Sequence, residues 1–311
     1  MNILITGIHG FVGSNLVAYL KGKHTIYGLD IVSPEKDGVE KTFSWADLEN
    51  GSIPQIDAVI HLAGKAHDTK NKAEADVYFK INTGLTQTIY DYFLASQAKK
   101  FIFFSTAKAA ADKVDGILTE DVVPTPVGPY GESKIKAEEY ILSKDLPADK
   151  QFYILRPCMI HGPGNKGNLN LLYSVVCKGI PWPLGAFDNL RTFTSVENIC
   201  FAVQGLITKD IASGIYNMGD DEPISTNELI AIICESMGKK PHIWKINKGF
   251  MTGMAKFCGF LHLPLNPERL QKLTENYVSS NAKIKAALGM KEMPVRAKDG
   301  LRETIKSFAG K

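Results

Sequence analysis

The sequence predicts an α/β fold, a doubly wound parallel sheet with a smaller C-terminal domain, and three observations predict it. Apolar strand-like segments alternate with helical ones through the first half of the chain, the pattern of a parallel sheet buried on both faces. The first strand runs directly into glycines at 7, 10 and 13. After Arg156-Pro157 the alternation gives way to long loops rich in glycine and proline.

The elements follow in order. A strand at 2–6 and a helix at 11–21, with Phe11, Leu16, Val17 and Leu20 as its apolar residues, enclose the glycine turn. Glycines there let the backbone bend sharply and let a pyrophosphate reach the amides at a helix N-terminus. The spacing is G-x-x-G-x-x-G rather than the standard G-x-G-x-x-G. A second strand at 25–30 ends in Asp30, where an acid can bind the hydroxyls of a ribose; a structural turn followed by a surface aspartate is the alternative. Further strands are expected at 41–44, 57–62, 100–105 and 151–156, and helices at 77–97 and 129–144. The strand at 57–62 ends in the small-residue turn Ala63-Gly64, and such turns line the ligand crevice of an open α/β sheet. In the second half, helices are expected near 168–178, 197–207 and 226–238. Ser225 and Glu228 form a capping box for the last of these. The division is residues 1–160 for a dinucleotide-binding domain and 161–311 for a substrate-binding domain, with some segments returning to the first.

With 311 residues, 44% of them hydrophobic and 22% charged, the composition is that of an ordinary globular protein. A net charge of +3 is too small to argue for nucleic acid or a membrane surface. Five scattered cysteines without a C-x-x-C speak against a disulfide framework and a zinc site. The first apolar residues read as a strand, not as the core of a leader. The apolar stretch at 250–265 is broken by Lys256 and His262 and is too short to span a bilayer. A cytoplasmic protein without nucleic-acid partners, membrane insertion or a metal is expected.

The chemistry concentrates in Tyr130-Gly-Glu-Ser-Lys134. Tyrosine and lysine lie one helical turn apart, and a nearby ammonium is expected to lower the tyrosine pKa, making Tyr130 an acid/base. Alone, the spacing more readily describes a solvated helix face. Here it follows a proline-rich loop, stands behind the glycine turn, and comes after a strand ending in Ser105 and Thr106. One of those hydroxyls can hold a substrate oxygen while Tyr130 moves its proton.

These segments resemble the extended short-chain dehydrogenase/reductases, especially their NAD-dependent epimerase/dehydratase branch, which have a Rossmann fold. The matching pieces are Thr6-Gly-x-x-Gly-Phe-x-Gly13, Asp30, His61-Leu-Ala-Gly64, Asn82, Phe-Ser-Thr106, Pro129-Tyr-Gly-x-Ser-Lys134 and Arg156-Pro-x-x-Ile-His-Gly-Pro163. They occur in family order over about half the chain. A looser likeness continues through Gly164-Asn-Lys-Gly-Asn168, Pro183-Leu-Gly185 and Arg191-x-Phe-x-x-Val-x-Asn198.

The resemblance implies roles residue by residue. Thr106 holds the sugar oxygen, Tyr130 is the acid/base, and Lys134 binds the nicotinamide ribose and tunes Tyr130. Gly7, Gly10, Phe11 and Gly13 hold the pyrophosphate. Asp30 takes the adenine ribose and favours NAD(H) over NADP(H). Ala63, Gly64, Asn82, Ser105 and Pro157 border the NAD cofactor. Asn168 and Arg191 hold the diphosphate of a nucleotide-sugar substrate, a surface ion pair being the lesser alternative for Arg191. The resemblance also implies a homodimer through the helices near 77–97 and 129–144, and the first of these carries apolar residues on more than one face.

Departures narrow the activity. Dehydratases of the family carry an Asp-Glu pair after the catalytic threonine, and here Ala107-Lys108 follows. Met159 stands where many 4-epimerases place an asparagine, and the segment at 107–123 lacks the family's Val-Tyr-Gly. The implied function is oxidation and reduction at C4 of a nucleotide-activated, UDP-linked hexose in surface-polysaccharide or sugar-nucleotide metabolism. The enzyme is then an epimerase or, alternatively, an NADH-dependent 4-keto-sugar-nucleotide reductase; a non-catalytic dinucleotide sensor on the same fold is the remaining alternative. His9, His67, His161, Cys158 and Trp182 are read as packing, rim or solvent-facing residues, with stacking on a base or sugar left open for Trp182.

Overall fold

The computed structural model describes residues 1–32, 34–65, 74–165, 167–260 and 266–309. Its main sheet has seven strands: β1 (Asn2–Thr6), β2 (Thr25–Leu29), β3 (Lys41–Phe43), β4 (Ala58–His61), β5 (Lys100–Phe104), β6 (Gln151–Pro157) and β7 (Gly214–Met218). Their spatial order is β7-β6-β5-β4-β1-β2-β3, and every neighbouring pair is parallel. This is the doubly wound Rossmann arrangement expected from the alternation.

Successive strand residues point to opposite faces, so each strand feeds two cores. Ile3, Ile5, Ala58, Ile60 and Ile102 enter one, while Leu4, Val59, Phe101 and Phe103 enter the other. Both cores are apolar, which is why these strands read as unbroken hydrophobic runs. Helices Phe11–Leu20 and Val196–Thr208 cover the first face; helices Leu85–Ala95 and Pro129–Ser143 cover the second. A third core, built on Leu169, Ile230, Ile233, Leu301 and Ile305, joins helices Asn168–Cys177, Thr226–Ser236 and Ala297–Ala309.

Three features add to or depart from the sequence-based reading. The edge strand β7 comes from the second half of the chain, a return to the first that was expected, although no segment was named for it. Its sequence, Gly-Ile-Tyr-Asn-Met, has no apolar run, and Asn217 is buried because Glu120 and the Leu118 carbonyl accept from its main-chain and side-chain N–H groups. The helix expected at 77–97 is not continuous. Ala75–Tyr78 passes into a π-helical turn at Phe79–Gly84 before Leu85–Ala95 begins. Beyond residue 240, helices Lys248–Phe260, Pro267–Thr274, Ala282–Leu288 and Ala297–Ala309 replace what was read as a loop-rich region. The capping box stands as expected: the Ser225 hydroxyl accepts from Glu228 N at 3.0 Å, and the Glu228 carboxylate accepts from Ser225 N at 3.1 Å.

One buried cation ties the second face together. The Lys150 ammonium donates to the carbonyls of Phe93, Ser96 and Ala98 at 3.0, 2.7 and 2.7 Å, closing the C-terminal end of helix Leu85–Ala95. Lys150→Met keeps the apolar stem and removes all three bonds. Stability is expected to fall by about 1–3 kcal/mol, the cost of stranding buried acceptors. The check is a lower urea midpoint at an unchanged m-value.

Candidate active site

The glycine turn lies where the sheet reverses, with β1 flanked by β2 on one side and β4 on the other; crevices form at such points. Gly7 has φ +67°, and a Cβ there would stand 2.8 Å from the Ala63 nitrogen. A Cβ on Gly13 would stand 2.5 Å from the Gly7 carbonyl oxygen. Backbone itself thus excludes side chains at both positions. Gly10 caps helix Phe11–Leu20 with no side-chain bond, and the first turn carries no acid. The positive end of the helix is left to an external anion. Phe11 lies against the loop at Gly162 and Gly164. The Asp30 carboxylate is fixed beside the turn, accepting from His9 N at 3.1 Å and Ile31 N at 2.8 Å.

A buried hydrogen-bond chain carries this geometry across the sheet. The Thr6 hydroxyl accepts from Leu62 N and Ala63 N at 3.2 and 3.0 Å and donates to His61 Nδ1 at 2.7 Å. His61 Nε2 donates to the Thr86 hydroxyl at 3.0 Å, which donates to the Asn82 carbonyl at 2.6 Å. Burial, with help from Lys134, holds the His61 pKa well below its ordinary value, so the ring is neutral and the donor pattern is consistent. The π-helical turn aims the Asn82 side chain at Lys65 and Ser133: its oxygen accepts from Lys65 N at 2.7 Å, and its amide donates to the Ser133 hydroxyl at 2.9 Å. Asn82 therefore braces the wall at Gly64, where an added Cβ would meet it at 3.0 Å.

A cavity of about 470 Å³ opens at the C-terminal ends of these strands. Thr106, Tyr130, Lys134, Gly64, Pro157 and Arg191 lie in its wall. Thr106 caps the short helix Ala107–Ala110, accepting from Lys108 N at 3.3 Å, and hydrogen-bonds the Tyr130 phenol. Gly131 makes that approach possible: a Cβ on it would stand 2.7 Å from the Lys108 carbonyl oxygen. The expectation that Lys134 lowers the Tyr130 pKa is corrected here. Burial dominates and raises it, the Thr106 bond offsets part of the rise, and Tyr78 adds to it. Lys134 is itself weakened. Burial lowers its pKa to about 8 against the opposing pull of Glu138, and its amine donates to the Phe104 carbonyl at 2.8 Å.

Behind the cavity wall stands a residue that the sequence reading missed. Glu138 is fully buried and forms a 2.5 Å ion pair with Arg156 Nη2, while Arg156 Nε donates to the same carboxylate at 3.0 Å. The Ser105 hydroxyl donates to Glu138, so it is turned toward that carboxylate. The available signal was spacing, since Glu138 continues the Tyr130, Lys134 series by one more helical turn.

On the far side, Arg191 is partly committed. Its Nη2 donates to the Lys272 carbonyl and lies 3.7 Å from Glu275, while its buried Nε has no partner. Gly167 is in the wall, but the side chain of Asn168 lies outside the described residues, as does His67. Cys158 is buried and its thiol is pushed up to about 12 by burial, so it is inert as a nucleophile. His161 is buried and bonded to Thr304 and Asp220 at 2.9 and 3.2 Å. Trp182 packs between two apolar clusters. His9 is half-buried, not solvent-facing, with Nε2 enclosed and unbonded. Among the described residues, no cluster of three or more His, Cys, Asp or Glu could hold a metal, and no helix is long and apolar enough to cross a membrane.

Residues 3–219 match the NAD dependent epimerase/dehydratase family. The chain belongs to that family. Over 99% of its length it is 27% identical to UDP-glucose 4-epimerase of Vibrio cholerae, covering 95% of that protein. Over 75% it is 26% identical to GDP-6-deoxy-D-mannose reductase of Pseudomonas aeruginosa, covering 79% of that protein. It shares its fold with the solved UDP-glucuronic acid 4-epimerase of Bacillus cereus in complex with NAD, with a TM-score of 0.75, 21% identity, and coverage of 100% and 99% of the two chains.

NAD is the cofactor of this epimerase/dehydratase-family enzyme, and the observed residues fit it. The uncapped helix end at Gly10 and the side-chain-free turn of Gly7 and Gly13 suit its pyrophosphate. Asp30 stands beside that turn, at the position for a ribose diol.

The enzyme depends on Glu138 for two properties. Glu138→Gln leaves the buried Arg156 charge without its counter-ion, and stability is expected to fall by about 3–5 kcal/mol, read by urea denaturation. It also removes the charge that raises the Lys134 pKa, so that pKa should move below about 8, observable by NMR of the labelled lysine amine. An unchanged Lys134 titration would show that the carboxylate does not act on it.

Proposed function

We propose that the enzyme is a 4-epimerase of UDP-linked hexoses. The observation that carries this reading is the Thr106–Tyr130 hydrogen bond inside a cavity that also contains Lys134 and Arg191. Tyr130 takes the proton from the C4 hydroxyl as C4 is oxidised, and Thr106 holds that oxygen. After the resulting ketone has turned over in the cavity, C4 is reduced on its opposite face as Tyr130 returns the proton to the oxygen. NAD, when bound, supplies the acceptor for the hydride from C4 and gives it back. The buried phenol resists ionisation, so protonated Lys134, or any further positive charge entering the site, favours the phenolate that the first step needs. Arg191, with its unpaired Nε, offers donors to the diphosphate.

Elimination of water has less support. After Thr106 come buried Ala107 and then Lys108, which is paired with Asp112 at 2.5 Å. No carboxylate follows the threonine to act on a leaving hydroxyl. The same groups also serve reduction of a 4-keto-sugar nucleotide, the reading favoured by the Pseudomonas relative. A non-catalytic sensor has no use for the Thr106–Tyr130 pair.

The test is a panel of UDP-hexoses followed by NMR. C4-inverted product with no net NADH change is expected; consumption of NADH with 4-keto sugars alone would replace the epimerase with the reductase. Tyr130→Phe is expected to lose about two to four orders of magnitude in turnover, as for removal of a general acid/base, with NAD affinity retained. Near-normal turnover would remove Tyr130 from the chemistry.

We also propose a homodimer through the helices flanking the π-helical turn and helix Pro129–Ser143. Tyr78, Ile89 and Phe93 are buried within the chain, whereas Val77, Ile81, Leu85 and Tyr92 are left exposed or half-exposed. Light scattering at low micromolar concentration should give twice the chain mass, and a clean monomer would refute it.

A further inference from the structure

The segment following Glu235 carries an unusual surface. Between Glu235 and Glu268 there is no acidic residue, and there are five lysines: 239, 240, 245, 248 and 256. The structure folds the middle of it into helix Lys248–Phe260. Met251 and Ala255 are fully buried against Leu184 and Leu270, with Met254 half-buried beside them. Phe250 and Phe257, seven residues apart and therefore on one face, are 62% and 64% exposed. Trp244, just before the helix, is 56% exposed. Lys245, Lys248 and Lys256 are exposed around these rings. The loop that packs beneath the helix through Phe187 carries one exposed acid, Asp188.

Large exposed rings are disfavoured on a surface that meets only water, and lysines alone would suit any polyanion. The two together, on a helix whose other face is anchored in its own core, match a helix lying in the plane of an anionic bilayer. There, aromatic rings enter the headgroup boundary and ammoniums meet lipid phosphates. We propose that this helix and Trp244 dock the enzyme on the surface of an anionic lipid bilayer, without spanning it.

The docking surface is coupled to the cavity rim. Leu270, which packs on the helix, belongs to helix Pro267–Thr274, and the Lys272 carbonyl of that helix accepts from Arg191 in the cavity wall. Docking through Lys248–Phe260 therefore places the substrate end of the cleft near the lipid surface.

The experiment is co-sedimentation of the full chain with vesicles of phosphatidylglycerol and phosphatidylcholine, or of phosphatidylcholine alone, at 0.1 and 0.5 M salt. It requires no turnover, so its outcome is independent of the epimerase assignment. Binding to the anionic vesicles is expected, weakened at least tenfold by high salt or by omission of the anionic lipid. Phe250→Ser with Phe257→Ser, and separately Lys245→Glu with Lys256→Glu, should each weaken binding at least tenfold while leaving the thermal unfolding midpoint unchanged. Absence of binding to anionic vesicles, or binding by either double variant equal to that of the unsubstituted chain, would overturn the proposal. So would a drop in oligomeric mass in the Phe250→Ser, Phe257→Ser variant, which would assign the face to a second copy of the chain.

Discussion

A single carboxylate, Glu138, is the constraint around which the catalytic wall is built. Burying a charge costs several kcal/mol unless it is paired and hydrogen-bonded. Glu138 meets that demand with Arg156 from β6, Ser105 from the end of β5 and, one turn back on its own helix, Lys134. Each partner is thereby held. Arg156 lies beneath the cavity wall, Ser105 is turned toward the carboxylate, and Lys134 keeps part of its basicity despite its burial. The tyrosine is positioned from the other direction, through Gly131 and its tight approach to Lys108. The site is thus a joint between one helix and two strand ends, and the sheet sets its precision.

Much of this was legible in the sequence because it follows from local rules. The glycine turn, Asp30 and the Tyr130–Lys134 spacing each express a requirement that neighbouring residues impose on one another. What was illegible depends on residues far apart in the chain. Asn217 gives no strand signal because its burial is made acceptable by Glu120 and Leu118, about a hundred positions earlier. The rise in the Tyr130 pKa was hidden because proximity to a lysine can be read from spacing, whereas depth of burial cannot.

Averages hid as much as distance did. A net charge of +3 describes the whole molecule, yet the acids and bases are unevenly spread, and the acid-free stretch after Glu235 contributes five positive charges. The π-helical turn shows the same effect on a smaller scale. A window across 77–97 sees one helix because the residues on both sides have helical propensity. The widened turn that directs Asn82 toward Lys65 and Ser133 is stabilised by those partners and leaves no mark on the periodicity.

The origin of β7 also has a consequence for biogenesis. The strand sits at the edge of the sheet beside β6, but it is translated after the residues of the second lobe that precede it. A nascent chain that has just completed β6 presents a bare strand edge, the kind of surface that pairs with other chains. At about 5–20 residues per second, that edge stays open for several seconds until Gly214–Met218 emerges. A fragment ending near residue 160 would keep it open permanently. The nucleotide-binding half on its own is therefore expected to be more prone to self-association than the full chain, and during synthesis the same exposure falls midway along the chain.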